Sequence, residues 1–496
     1  MVRRIESFPT KTTGRERTHE RPKRVRRSAA ASAQRLDPCG AIPQSMFHTQ
    51  GALFEDAFGT AEMREVFAEE RYIEAFMESE AALARAEARA GLIPEKAAAG
   101  ITETASLEYL DIDAVEQRVA EIDLFTVAII ETWKDAIGDA GEYIHWGATS
   151  QDIADTAMIL LIREGFAIVE RDLRAVRDEL ADLAAEHAET PIIGRTHHVH
   201  AIPTTFGLKA ATWLDEVERG LDRLDELRER LFVIEFFGAV GTLASLGKSG
   251  LEVQEYLAEE LELGVPRTAW FAARDRLAEL TNVFATVAST LAKISRNVLM
   301  LGREEIGEVE EHVPEGMIGS STMPHKRNPV RSERTVGLAA MIRGHAATMN
   351  AVTEAYDERD AGLWYVEYGV VPETFLYLSR ALRNTTEVLD TLDVYPEAMS
   401  SNLNVHGGLV ASEAVMMALA ETIGRQSAHD IVGEAAMKAL DSEDSFADCL
   451  RDDKRVTDAL ADEEIERLTD PTEYTGVADS LVERTIERTR SESEHQ

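Results

Sequence analysis

Residues 277–301, LAELTNVFATVASTLAKISRNVLML, place apolar side chains at Leu277, Leu280, Phe284, Val287, Leu291, Ile294, Val298 and Leu301, in steps that alternate three and four. That spacing draws a single apolar stripe along one helix, and no glycine or proline interrupts it. At 1.5 Å per residue such a helix is about 38 Å long. Residues 155–187 and 206–232 repeat the pattern, the latter through Leu214, Val217, Leu221, Leu224 and Leu231. Several long helices with narrow seams pack as a bundle. Seams of this length continue into neighbouring subunits, so a homo-oligomer is expected.

Outward from this centre the pattern stays helical. On the N-terminal side, 61–67 and 73–88 read as amphipathic helices, the second stopped at Gly91 with Pro94 just beyond. On the C-terminal side, shorter helices are expected at 373–392, 408–423 and 428–440. No alternating strand pattern is visible, so the expected fold is all-α. The expected divisions are a basic tail at 1–45, an N-terminal helical domain at 46–149, a central bundle at 150–372 and a C-terminal helical domain at 373–496.

Composition narrows the function. The 496-residue chain is 44% hydrophobic, enough for a large core, and carries a net charge of −38. Of its 52 basic residues 42 are arginine. Excess acid with little lysine suits a protein kept hydrated at high salt, a halophilic pattern. It argues against nucleic acid or an anionic membrane as the main partner. The tail differs, with eleven basic residues against four acids before residue 46. It reads as an unfolded segment or an upstream start, with Met46 the better initiator and a basic arm the alternative. Cys39 and Cys449 lie far apart and read as free thiols, without a disulfide or metal-ligand pattern. No apolar run reaches the roughly 20 residues of a membrane span, no signal-peptide pattern is visible, and a cytoplasmic location is expected.

Four polar clusters interrupt the helices. YIHWGATSQD at 143–152 reads as a helix N-terminus capped by Thr149 or Ser150, whose free N–H groups suit a carboxylate. GRTHHVHAIPTTFG at 194–207 holds His197, His198 and His200 in a non-helical segment bracketed by Gly194 and Pro203. Metal-ligand spacing on a helix is missing, which favours acid/base work near neutral pH. A packed structural role is the alternative for any one of the three. GMIGSSTMPHKRNP at 316–329 cannot be a helix interior, because two glycines and two prolines break it. A flexible cationic loop between long helices is a common place for catalytic groups. DERDAGLWYVEY at 357–368 offers Arg359 as a bidentate carboxylate ligand, or as half of a surface ion pair.

In this order and at these separations, the clusters resemble the sequence segments of the fumarase/aspartase superfamily over about residues 50–490. The resemblance implies three helical domains in a homotetramer with a twenty-helix core, and active sites built from three subunits. It implies addition or elimination across the Cα–Cβ bond of a small di- or tricarboxylate, with no cofactor and no metal. By resemblance Ser320 is the base, Lys326 and Asn328 steady the developing aci-carboxylate, and His197 is the general acid. Thr149, Ser150 and Arg359 hold carboxylates, with His145, Arg195, Thr196, His200, Ser321 and Met323 completing the substrate-binding set. An intact set of these residues speaks against a non-catalytic relative.

Two branches compete. The 194–207 segment, His197 included, is similar to adenylosuccinate lyases. That branch places phosphate-binding or motif residues where this chain has Glu55, Ile122 and Tyr368. Charge-assisted hydrogen bonds contribute about 1.5–3 kcal/mol each, so losing two costs about 10²–10⁴ in nucleotide affinity. The segments 53–58, 63–67, 237–247, 270–276, 362–368, 408–415 and 468–476 are similar instead to 3-carboxy-cis,cis-muconate cycloisomerases. His197 departs from that branch.

Overall fold

The computed structural model describes residues 54–313, 320, 322–323, 325–442 and 444–493; the expectations for residues 1–45, Cys39 and Ser321 lie outside them. The backbone is helical nearly throughout. The helix Glu69–Arg89 (α1) buries Ile73, Phe76, Met77, Leu83 and Ala84 along one face. It ends where Gly91 takes a left-handed φ of 75°, a backbone conformation that favours glycine.

Five long helices form the centre: Ser150–Glu186 (α2), Phe206–Leu231 (α3), Asp275–Leu301 (α4), Val330–Val352 (α5) and Ala361–Asp390 (α6). Helix α2 packs on α1, α3 and α6, while α4 packs on α3, α5 and α6. All eight seam residues of α4, from Leu277 to Leu301, are buried. At about 25 cal/mol per Å² of apolar surface, each large seam side chain contributes about 1.5–3 kcal/mol. Helix α6 runs through Pro372 without ending. It therefore crosses residue 372, where the sequence suggests a division. A second apolar cluster gathers Val415, Leu419, Ile431, Leu450 and Ile465 in the C-terminal region. The last helix, Ala478–Ser493 (α7), returns to pack on α3 and α2.

The fold is all-α as expected, with two short strand pairs inserted among the helices. Pro191–Thr196 (β1) and Val199–Thr205 (β2) pair as an antiparallel hairpin between α2 and α3. A second pair is shorter, Val309–Glu310 (β3) with Asp393–Val394 (β4). The hairpin is dense in β-branched residues (Ile192, Ile193, Val199, Ile202, Thr204 and Thr205), which favours strands. Its alternation is hidden because the register shifts between Ile193 and Arg195. Gly194 sits at that shift. A Cβ there would stand 2.6 Å from the Ile202 carbonyl oxygen, so only glycine lets the strands close.

One buried ionic junction ties α2, α4 and α6 together. Arg274 donates from Nη1 to Asp155 Oδ2 at 2.7 Å and from Nε to Glu367 Oε1 at 2.7 Å. Trp364 Nε1 donates to Asp155 Oδ1 at 2.8 Å, and Gln151 Nε2 to Asp155 Oδ2 at 3.1 Å. All five side chains are buried. With its charged groups paired, such a junction fixes the relative rotation of the helices that carry it.

Candidate active site

Thr149 is the N-cap of α2, and its N–H donates to Asp152 Oδ2 at 2.9 Å. Asp152 also accepts from the N–H groups of Phe237 (2.7 Å) and Gly238 (3.0 Å). One fully buried carboxylate thus pins the 237–238 loop to the helix start. Burial pushes Asp152 up to about 7, against the pull of its three N–H donors.

Arg359 reaches the same place from the segment before α6. Its Nη1 donates to Thr149 Oγ1 at 3.1 Å and its Nη2 to the Ala239 carbonyl at 3.1 Å, with the guanidinium 4.7 Å above the Phe271 ring. Its Nε is buried with no partner among the described residues. The first and fourth polar clusters, 210 positions apart, therefore meet. They form a helix N-terminus beside a cation, a combination that suits a carboxylate. Ser150 is the first residue of α2. His145 lies on the turn leading to Thr149, where its backbone N–H and ring Nδ1 both meet the Glu80 carboxylate, at 3.1 and 2.6 Å.

The histidine segment forms the hairpin. Thr196 pairs with Val199, so His197 and His198 make a two-residue turn, with φ of 52° and 66°. Such turns favour Asn-Gly, and each left-handed non-glycine residue costs on the order of 1 kcal/mol. Strain of this kind tends to gather at functional sites. Arg195 grips Glu308 with both arms, at 2.9 and 2.7 Å, and Asn402 donates to the same carboxylate at 2.8 Å. The guanidinium expected to meet substrate is thus committed to a buried glutamate that braces the hairpin. His200 has its Nδ1 buried without a partner among the described residues. Burial, then Arg195 and His406, hold its pKa below the ordinary imidazole value. A cavity of about 1220 Å³ opens here, lined among others by His197, His198, His200, Lys209 and Arg303.

The 316–329 loop is described only in part. The N–H groups of Thr322 and Met323 donate to Ser320 Oγ at 3.3 and 3.2 Å. Two amide donors on a serine oxygen favour its deprotonated form. The Lys326 N–H donates to the Met323 carbonyl at 3.0 Å, and its side chain is exposed. The Val330 N–H donates to the Asn328 carbonyl at 2.9 Å, just before α5. Arg327 pairs with Glu310 at 3.0 Å, which ties the loop to β3. Among the described residues no hydrogen bond joins Ser320, Lys326 or Asn328 to Thr149, Arg359 or His197. No group of three or more His, Cys, Asp or Glu there could hold a metal ion, and no helix is long and apolar enough to cross a membrane.

Sequence reasoning missed Glu80 and Glu308, and read Asp152 only as a first-turn acid. Glu80 had a legible signal. It follows Ile73, Phe76 and Met77 and precedes Leu83 and Ala84 at helical spacing, so it falls on the buried face of α1.

A long-helix bundle with a helix N-terminus beside a cation, a histidine hairpin and an amide-held serine offers groups that a lyase of small carboxylates would need. Comparison with known proteins agrees. A family described as "Lyase" matches residues 57–344, and one described as "Adenylosuccinate lyase C-terminus" matches 408–485. The N-acetyl-S-(2-succino)cysteine lyase of Enterococcus italicus is 39% identical over 88% of this chain and 95% of its own. The adenylosuccinate lyase of Pyrococcus horikoshii is 40% identical over 87% of this chain and 96% of its own. The crystal structure of the 3-carboxy-cis,cis-muconate lactonizing enzyme from Pseudomonas putida superposes with a TM-score of 0.83. It is 37% identical and covers 88% of this chain and 99% of its own. The chain belongs to the fumarase/aspartase superfamily, as a lyase or cycloisomerase.

Proposed function

We propose that this enzyme adds or eliminates a group across the Cα–Cβ bond of a small di- or tricarboxylate that lacks a nucleotide, with 3-carboxy-cis,cis-muconate the leading substrate. In the elimination direction Ser320 takes the carbon-bound proton, and in lactonisation of a muconate it delivers one to carbon; Lys326 and Asn328 steady the aci-carboxylate, and Thr149, Ser150 and Arg359 hold carboxylates. His145, Thr196, His200, Ser321 and Met323 line the substrate, with Arg195 bracing the hairpin beneath it.

One observation carries the choice against a nucleotide. Tyr368, where the nucleotide-binding branch would have a phosphate-binding arginine, is closed into an aromatic cluster. Its ring lies 6.0 Å from Tyr72, 5.6 Å from Phe125 and 5.4 Å from Trp364, and its hydroxyl is 3.4 Å from that of Tyr72. Burial pushes both phenols well above their ordinary pKa, so the cluster offers no charge to a phosphate.

His197 favours a second reading, a lyase that releases fumarate from a succinyl adduct, because a leaving amine or thiol needs a proton donor. The relative from Enterococcus italicus acts on such a thioether. Adenylosuccinate is the nucleotide alternative.

The three candidates are distinguished by ultraviolet and coupled assays run in parallel in molar KCl, a condition chosen for the charge of −38. Loss of the muconate absorbance alone is expected. Turnover of adenylosuccinate alone would overturn the argument from Tyr368, and turnover of the succinyl thioether alone would favour the second reading.

We also infer a cytoplasmic homotetramer, in which neighbouring copies bring the separated clusters together. Among the described residues no hydrogen bond joins the loop, the hairpin and the Thr149–Arg359 pair, which supports a site shared between copies.

A further inference from the structure

We propose that Glu80 is the positioning residue for His145, orienting its imidazole as a cationic donor to a substrate carboxylate beside Thr149. The inference rests on the carboxylate reading above. It adds a residue from α1 to a site otherwise built from helix starts and loops.

The geometry is specific. His145 has a left-handed φ of 59°, strained for a non-glycine residue. This conformation lets one carboxylate hold both its backbone N–H and its Nδ1, at 3.1 and 2.6 Å. The Glu80 side chain is 0% exposed while that of His145 is 20% exposed. The inner nitrogen is thus committed and Nε2 is left as the outer end. Three residues on, Ala148 donates its N–H to the His145 carbonyl at 3.3 Å, and the next residue is the Thr149 cap. A buried carboxylate on one imidazole nitrogen fixes the tautomer and orients the other nitrogen.

The surrounding charges agree. Burial opposes a proton on His145, but Glu80, with Asp152 from α2, more than offsets it and raises its pKa above the ordinary imidazole value. On α1, Glu87 is also buried, and burial with the Glu80 charge pushes it up to about 9, so it is neutral at pH 7. Arg359 is the cation of the neighbourhood and is bonded to Thr149. A positive His145 persists below its raised pKa and is lost as pH rises through it. Without the Glu80 charge, that loss moves to lower pH.

The test compares the full-length wild type with Glu80→Gln, which keeps the volume and one acceptor, and with His145→Gln as control. The first readout needs no substrate. Diethyl pyrocarbonate acylates neutral imidazole, and peptide mass spectrometry reports its rate at His145 as a function of pH. The half-point is expected above the ordinary histidine value in the wild type and about 1–3 pH units lower in Glu80→Gln. Identical profiles in the two proteins overturn the proposal. The second readout is fumarate affinity by calorimetry. Glu80→Gln is expected to bind about 10- to 100-fold more weakly at pH 7.5 and to recover at pH 5.5. A loss equal at every pH marks a purely structural glutamate and overturns the proposal. A shifted acylation profile in a wild type that binds no dicarboxylate supports the Glu80–His145 coupling and overturns the carboxylate reading.

Discussion

Ser320→Ala is expected to lower kcat about 10²–10⁴-fold, the usual contribution of one general base, with the thermal midpoint unchanged. A serine hydroxyl is a poor base in water, so its assignment needs local help. The structure supplies two amide donors, from Thr322 and Met323, aimed at Oγ. They act only on the oxygen that alanine removes. KM is expected to move little, because the proposed carboxylate ligands, Thr149 and Arg359, are on other segments. Steady-state kinetics with the best substrate of the panel, alongside a thermal melt, checks both halves.

The second large effect concerns assembly. His197→Ala and Ser320→Ala are each expected to be nearly inactive alone. If the two residues of one site come from different copies of the chain, mixed tetramers regain intact sites. Random assortment leaves about one quarter of the sites with both native residues. Activity of the mixture should therefore rise from near zero to about a quarter of wild type. No recovery from verified mixed tetramers would place both residues in a single subunit. Light scattering on the same samples checks the tetramer itself.

Much of this was legible in the sequence because it rests on local rules. The 3–4 steps of Leu277 to Leu301 report one helix face, and the seam is buried as its spacing requires. A cap at Thr149 or Ser150 follows from residue type alone, and the structure places it at Thr149. The hairpin at 191–205 was not legible as strands, because the break at Gly194 interrupts their alternation. Nor was the fate of Arg195. A guanidinium in a polar cluster looks free for substrate until Glu308, 113 positions away, is seen to hold both its arms. Glu80 stood on an apolar helix face, which marks it as buried, but its partner lies 65 positions further on. Contacts at such range depend on the folded topology. The meeting of Arg359 with Thr149 is of the same kind, and only the family resemblance pointed to it.

The step proposed for Ser320 is proton transfer at carbon across a Cα–Cβ bond, as base in elimination and as its conjugate acid in addition. It is tested most directly by running the addition direction in D₂O and weighing the product by mass spectrometry. For a muconate, that direction is lactonisation; for a lyase substrate, it is recombination of fumarate with the leaving group. One deuterium on carbon per turnover is expected in the wild type, formed about 10²–10⁴-fold more slowly by Ser320→Ala. Product formed without carbon-bound deuterium, or at an equal rate in the variant, would contradict it.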